Sequence, residues 1–325
     1  MVRFRINNFK KDHVMKVLLF GKNGQVGWEL QRSLALCGTL IAPDSNQRTP
    51  FLHGDLTDLS AIRATILQQR PDVIVNAAAY TNVDKAESEP ELAEKINHLA
   101  PAVMAEAALE IGALLVHYST DYVFGAGGDY ARTEGGPVSP INVYGETKLR
   151  GEIAVRASGC KHLIFRTSWV YAARGENFLK TMLRMAQERE TLSVVVDQEG
   201  APTGAELIAD VTAVAVRAAL RDEHLCGLYH LAANGHTNWH EYASFVIETA
   251  RSYGADIRIA DGSAIQAVTT KDFPRPAKRQ HNSRMSMNKL CTSFELNLPD
   301  WRLGVERVVR ELVEQSKQQL TLLKV

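Results

Sequence analysis

The chain has 325 residues, enough for one large or two modest domains that bury roughly three quarters of the unfolded surface. Its 37 Lys and Arg balance 37 Asp and Glu, so no overall field favours nucleic acid or an anionic membrane, and no apolar run reaches the ~20 residues that span a bilayer. Cys37, Cys160, Cys226 and Cys291 lie far apart with no Cys-x-x-Cys, which fits reduced thiols in a cytoplasmic protein and argues against a disulfide framework or a zinc site.

Residues 1–14 are basic and lack the apolar core of a secretory signal. They read as a disordered leader from an upstream start, with Met15 as an alternative initiator. Residues 15–20 then form a short apolar strand of the kind buried in a parallel sheet. The strand empties into Gly21-Lys22-Asn23-Gly24-Gln25-Val26-Gly27, followed by helical periodicity from Trp28. Glycines at these three places permit a tight turn, close approach of backbone to a pyrophosphate, and close helix–strand packing. The free N–H groups at the helix start would face the phosphates. Strand before and helix after make this a dinucleotide loop, although its spacing is G-x-x-G-x-x-G.

A second strand around Leu40-Ile41-Ala42 ends at Asp44. A carboxylate there would accept hydrogen bonds from an adenosine ribose and favour NADH, whereas Arg48 would pair with a 2′-phosphate and admit NADPH. Asp55-Leu56 is an adenine contact or, for Asp55, a helix N-terminal acid. A helix at 59–69 leads to the strand Val73-Ile74-Val75-Asn76, which runs into Ala77-Ala78-Ala79-Tyr80; these small residues would let the chain pass close to a cofactor. A long helix is expected at about 91–110, with Asn97 either bracing the sheet or lying on the surface.

The strand Leu114-Leu115-Val116-His117-Tyr118 delivers Thr120 to its carboxyl end, where open α/β sheets bind ligands. A glycine-rich loop covers 125–140. Tyr144 and Lys148 follow in Val-Tyr-Gly-Glu-Thr-Lys; four apart on a helix, they stack a phenol and an ammonium on one face. A nearby fixed positive charge favours a phenolate, so hydroxyl, phenol and ammonium together suit proton transfer at a carbonyl oxygen. A strand at 163–167 leads to Ser168-Trp169-Val170-Tyr171. Helix at 177–188, strand at 192–196 and helix at 206–220 come next, and Pro and polar residues gather at 273–283.

Alternating strands and helices predict an α/β fold, a doubly wound, Rossmann-type parallel sheet with a smaller C-terminal substrate-binding lobe. The expected division is 15–168 for the dinucleotide-binding domain with 204–232 returning to it, 169–203 and 233–300 for the lobe, and 301–325 for a C-terminal helix.

Gly21/Gly24/Gly27, Ser119-Thr120-Asp121 and Tyr144…Lys148 resemble the extended short-chain dehydrogenase/reductase superfamily. More narrowly, the chain resembles the dTDP-4-dehydrorhamnose reductase family. That resemblance is carried by Phe20-Gly-Lys-Asn-Gly-Gln-Val-Gly-Trp-Glu-Leu, Asn76-Ala-Ala-Ala-Tyr-Thr-Asn-Val-Asp-Lys-Ala-Glu, Ser119-Thr-Asp-Tyr-Val-Phe-Gly, Arg166-Thr-Ser-Trp-Val-Tyr, and Arg275-Pro followed by Asn282-Ser283-Arg284. It covers Met15 to about Leu312. Related sugar-nucleotide 4,6-dehydratases carry Asp-Glu after the Thr; here Asp121-Tyr122 stands there, which removes a carboxylate that elimination needs.

The resemblance implies reduction of dTDP-4-dehydro-β-L-rhamnose to dTDP-β-L-rhamnose, the last step in making a sugar donor for surface polysaccharide such as lipopolysaccharide. It implies Tyr144 as proton donor and Lys148 lowering the Tyr144 pKa and binding the nicotinamide ribose. Thr120 would hold the substrate oxygen, and Asp121 and Trp169 would contact the sugar nucleotide. Cofactor contacts carry over to Gln25, Val26, Asp44, Asp55, Leu56, Ala77, Ala78, Ala79 and Tyr80. A homodimer assisted by Mg²⁺, held by glutamates from each subunit, is also implied, with Glu29, Glu206 and Glu311 at the matching positions. The competing readings are a reductase or epimerase of another deoxysugar nucleotide, and a non-catalytic NADP-binding regulatory subunit like the β subunit of methionine adenosyltransferase.

Overall fold

The computed structural model describes residues 14–49 and 51–322. The expected leader therefore lies outside the described residues, Val14 apart, as do the last three positions of the expected C-terminal helix. Six strands form one parallel sheet: β1 (Lys16–Phe20), β2 (Thr39–Ile41), β3 (Val73–Asn76), β4 (Leu114–Thr120), β5 (His162–Thr167) and, later in the chain, Gly227–His230. Their order across the sheet is Gly227–His230, β5, β4, β3, β1, β2. Four of the five β1 residues and all those of β3 and β4 are buried, so both faces of these strands are covered and their sequences read as continuous apolar runs.

Alternation along the strands divides the apolar residues between two cores. Val17, Leu19, Val73, Val75, Leu114 and Val116 face α1 (Gln25–Ala35) and the helix Ala205–Ala219. Leu18, Phe20, Ile74 and Leu115 face α2 (Leu59–Gln69) and α3 (Ala100–Ile111). Because β1 has β2 on one side and β3 on the other, the chain winds away from it in opposite directions. A crevice therefore opens at the carboxyl ends of β1 and β3. The glycine loop and the Ala77–Tyr80 stretch form its two lips.

Two local features depart from the sequence reading. A short antiparallel hairpin, Arg48–Thr49 against Leu52–His53, follows Asp44. The helix expected at 91–110 is split into Pro90–Glu94, a π-turn at Lys95–Leu99, and α3. The helix carrying Tyr144 and Lys148, α4 (Val143–Ala157), is capped by Asn142, whose side chain accepts from the Gly145 N–H at 2.8 Å.

A further core gathers around Tyr171, Leu179, Met182, Val194, Tyr242, Val246 and Ile265, between Phe178–Glu188, Trp239–Ser252 and the parallel pair Leu192–Val195 and Ile265–Val268. The helix Trp301–Leu322 closes it with Trp301, Val305, Val309 and Val313, a stripe at every fourth residue. Among the described residues no helix is long and apolar enough to cross a membrane.

Candidate active site

The glycine loop has its residues for backbone reasons. Gly21 holds φ +85°, and a Cβ there would lie 2.5 Å from the Ala78 nitrogen. A Cβ on Gly27 would lie 2.0 Å from the Gly21 carbonyl oxygen. Gly24 differs: its Cβ would meet only that oxygen, at 3.5 Å, so this side of the loop is open. Gly24 is also the N-cap of α1 and supplies no side-chain acceptor to the first helical turn. The N–H groups around Gln25 and Val26 thus suit an anion, and the residues present fit the pyrophosphate of a dinucleotide.

Beyond the loop, Asp44 accepts from Asn23 Nδ2 at 2.6 Å and lies 4.0 Å from Lys22 Nζ. Hydrogen bonds from the Asn46 backbone and Asn23, helped by Lys22, hold its carboxyl below the usual range. Arg48 is 3.0 Å from Asp55, which also accepts from the Thr57 N–H and hydroxyl at 2.9 and 2.7 Å. The Leu56 side chain packs into the apolar core. On the opposite lip Ala77, Ala78 and Ala79 are half-buried. Asn97 is fully buried in the π-turn and clamps both backbone groups of Tyr80: its Oδ1 accepts the Tyr80 N–H at 2.9 Å and its Nδ2 donates to the Tyr80 carbonyl at 3.0 Å. The Tyr80 hydroxyl donates to Glu89 at 2.7 Å.

Thr120, Tyr144 and Lys148 come together at the carboxyl end of β4. The Thr120 hydroxyl lies near enough to Tyr144 to favour its phenolate, and Tyr122 packs edge-on against the Tyr144 ring with centroids 5.4 Å apart. Tyr144 is pushed above its ordinary 10, first by burial, then by Asp121 and Tyr122, with only Thr120 opposing. Lys148 does not lower it, because the lysine is engaged elsewhere: Nζ donates to the Tyr118 carbonyl at 2.6 Å and lies 3.5 Å from His117 Nε2. Burial also brings Lys148 itself down to about 8, against a smaller pull from Glu152. Tyr144 therefore holds its proton at neutral pH, as a proton donor must.

Asp121 is buried and pushed up to about 6, chiefly by desolvation. It accepts from Thr120 Oγ1 at 3.1 Å and Gln280 Nε2 at 2.9 Å, and is hydrogen-bonded to Ser283. Sequence reasoning missed Gln280, Ser283 and His117; the Pro-rich tract around 273–283 marked the segment, but nothing local reveals a contact across 159 positions. Arg279 ties the same segment to Asp84 at 3.1 Å. Trp169, at φ +47°, stacks on Trp239 with centroids 3.6 Å apart, and its indole edge lies where a Cβ on Gly200 would sit. One face of Trp169 is therefore packed within the lobe.

The three glutamates matched to a metal are not brought together in the chain. Glu206 pairs with Arg307, Glu29 lies 3.6 Å from Arg32, and Glu311 accepts from Gln315. Among the described residues no three His, Cys, Asp or Glu side chains could hold a metal ion. Within one chain these residues do not fit Mg²⁺.

Comparison with known proteins agrees with this geometry. The model of the RmlD substrate binding domain family matches residues 15–314. dTDP-4-dehydrorhamnose reductase of Salmonella typhimurium is 54% identical over 298 residues, covering 92% of this chain and 98% of the relative. The protein of that name from Burkholderia thailandensis is 44% identical, covering 93% of this chain and all of the relative. Among solved structures, dTDP-4-dehydrorhamnose reductase of Bacillus anthracis in complex with NADP aligns with TM-score 0.82 and 34% identity over 92% of this chain and all of the other. A dTDP-glucose 4,6-dehydratase of Streptomyces venezuelae, with NAD bound, shares the fold at TM-score 0.74 and 18% identity, over 91% of this chain and 96% of the other.

Proposed function

Because the chain belongs to the dTDP-4-dehydrorhamnose reductase family, we propose that it is the NAD(P)H-dependent oxidoreductase that converts dTDP-4-dehydro-β-L-rhamnose to dTDP-β-L-rhamnose. The observation that carries the reading is the gathering of Thr120, Tyr144 and a buried Lys148 at the carboxyl end of β4, beside a crevice whose glycine lip suits a pyrophosphate. The bound nicotinamide supplies the hydride that reaches C4. Tyr144 gives its proton to the oxygen that gains charge there, and Thr120 holds that oxygen in line. Lys148 orients the nicotinamide ribose, and its charge offsets that of the phenolate left behind. Asp121, fixed by Gln280, binds sugar hydroxyls, with half-buried Trp169 as an apolar wall.

Elimination of water, the dehydratase alternative, lacks its second acid. Tyr122 replaces the glutamate, is pushed up to about 12 by burial and Asp121, and is hydrogen-bonded to Arg279. The regulatory reading requires no proton relay, whereas Thr120, Tyr144 and Lys148 are all present here at one end of β4.

For the cofactor, Arg48 is spoken for by Asp55 while Lys22 stands beside Asp44. We therefore expect both NADH and NADPH to serve, with Asp44 on the ribose of one and Lys22 near the 2′-phosphate of the other. A cytoplasmic homodimer supplying a rhamnosyl donor for surface polysaccharide completes the proposal. The test is nicotinamide absorbance with dTDP-4-dehydrorhamnose made enzymatically from dTDP-glucose. Turnover yielding dTDP-rhamnose is expected; tight cofactor binding without turnover would move the substrate to another deoxysugar nucleotide or the chain to a regulatory role.

A further inference from the structure

We infer that His117 is a positioning residue for Lys148, presenting an N–H rather than a lone pair to the lysine nitrogen; the inference rests on the roles given above to Tyr144 and Lys148. Asn76 and His117 lie opposite each other on β3 and β4, and both are buried. The Asn76 amide is oriented by the Ala78 N–H, which donates to Oδ1 at 3.2 Å. Its Nδ2 consequently faces His117 Nδ1 at 3.3 Å. An amide NH₂ only donates, so Nδ1 is the acceptor and the ring proton sits on Nε2. That N–H is aimed at Lys148 Nζ, 3.5 Å away.

An ammonium has three donors and no acceptor. Two donors face each other in this contact, while Lys148 directs its short bond to the Tyr118 carbonyl. Loss of one proton would give Nζ a lone pair able to accept from Nε2–H, so the contact favours the neutral amine. The imidazole cannot relieve the conflict by charging, because burial and Lys148 both hold its pKa far below the usual value.

The other groups around the pair leave this balance standing. Glu152, one turn along α4, favours the ammonium, but Arg166 engages both its oxygens at 2.9 and 2.7 Å. Ile164 of β5, beside His117, is apolar. The Tyr118 phenol is hydrogen-bonded to Thr212, away from the pair. Gly151 of α4 leaves the needed space: a Cβ there would lie 2.2 Å from the Asn97 carbonyl oxygen and 3.6 Å from His117 Nε2. The consequence is a lysine that exchanges its proton close to working pH, wired through Asn76 to the Ala78 N–H in the cofactor lip.

The test is NMR on the full-length protein. In wild type labelled with ¹⁵N-histidine, His117 is expected as the neutral Nε2–H form from pH 6 to 9. In His117→Gln the amide can turn its carbonyl to Lys148. The lysine midpoint, followed by ¹³Cε-lysine signals, should then rise by about one unit, and the basic limb of kcat/KM should move with it. A wild-type ring proton on Nδ1 overturns the inference, as does a lysine midpoint that does not move in His117→Gln. If the variant does not fold, the wild-type tautomer decides alone. The histidine tautomer and the lysine midpoint do not depend on turnover, so a wild type that lacks activity would sink the functional reading rather than this one.

Discussion

Tyr144 is set apart by what its surroundings refuse to do. Burial keeps its proton on, and Thr120 supplies the polar contact that counters it. Replacing Tyr144 with Phe should lower kcat by about 10²–10⁴-fold, the usual worth of a positioned proton donor. Cofactor affinity, followed by nicotinamide fluorescence, should stay within a few fold; a loss of binding as large as the loss of turnover would show that the ring is structural. Asp121 makes a separate prediction at the same scale. Its folded pKa, about 6, lies above its ordinary 3.8. Between these values the folded chain binds a proton that the unfolded chain has released. The contribution to stability is therefore full below about pH 4 and is lost as pH rises through about 6, by roughly 3 kcal/mol at most. Urea midpoints measured from pH 4 to 7 should show this fall in wild type and lose it in Asp121→Asn. An unchanged slope in the variant would assign it to other groups. Lys148 acts in the opposite sense and at higher pH: with its folded pKa lowered to about 8 from 10.5, it adds stability as pH rises through that interval.

Among the elements, the π-turn Lys95–Leu99 was the least legible in sequence. A run such as Glu91-Leu92-Ala93-Glu94-Lys95-Ile96-Asn97 has ordinary helical composition, and one extra residue per turn leaves no mark on periodicity. The turn swings Asn97 inward, where it satisfies the backbone of Tyr80 on the cofactor lip. Asn97→Ala would leave a half-buried N–H and carbonyl unpaired. A loss of about 2–3 kcal/mol is expected, seen as a lower thermal midpoint, together with a several-fold higher cofactor KM. A midpoint shift with an unchanged KM would limit Asn97 to stability. The strands, by contrast, were readable because β1, β3 and β4 are buried on both faces and each holds an unbroken apolar run, Val17–Phe20, Val73–Val75 and Leu114–Val116. The glycine loop was readable because Gly21 and Gly27 admit no Cβ.

At the scale of the molecule, what sequence could not show is contact between distant segments. Gln280 on Asp121, Arg279 on Asp84 and Trp239 on Trp169 each join parts of the chain that composition leaves unrelated. Within one chain the matched glutamates make no cluster: Glu206 is a neighbour of Arg307, which balances its charge. EDTA should therefore leave turnover unchanged, and a loss restored by Mg²⁺ would require carboxylates from a second chain. One contact does link the cofactor loop to the lobe. Asn177 caps Phe178–Glu188 by accepting the Lys180 N–H at 3.0 Å, while its Nδ2 donates to Gln25 Oε1 and the Ala172 carbonyl, both at 2.8 Å. Arg174, in the same turn, lies over the Trp28 ring at 4.0 Å. Cap and bridge can be separated. Asn177→Ser keeps a capping oxygen but cannot reach Gln25, so its stability should stay within about 0.5 kcal/mol of wild type, whereas Asn177→Ala should lose about 1 kcal/mol. If the bridge aligns the lobe with the cofactor, both variants should share a several-fold fall in kcat/KM despite their different stabilities. If kcat/KM instead follows stability, falling in Asn177→Ala alone, the contact only finishes a helix and the lobe is aligned by its packing.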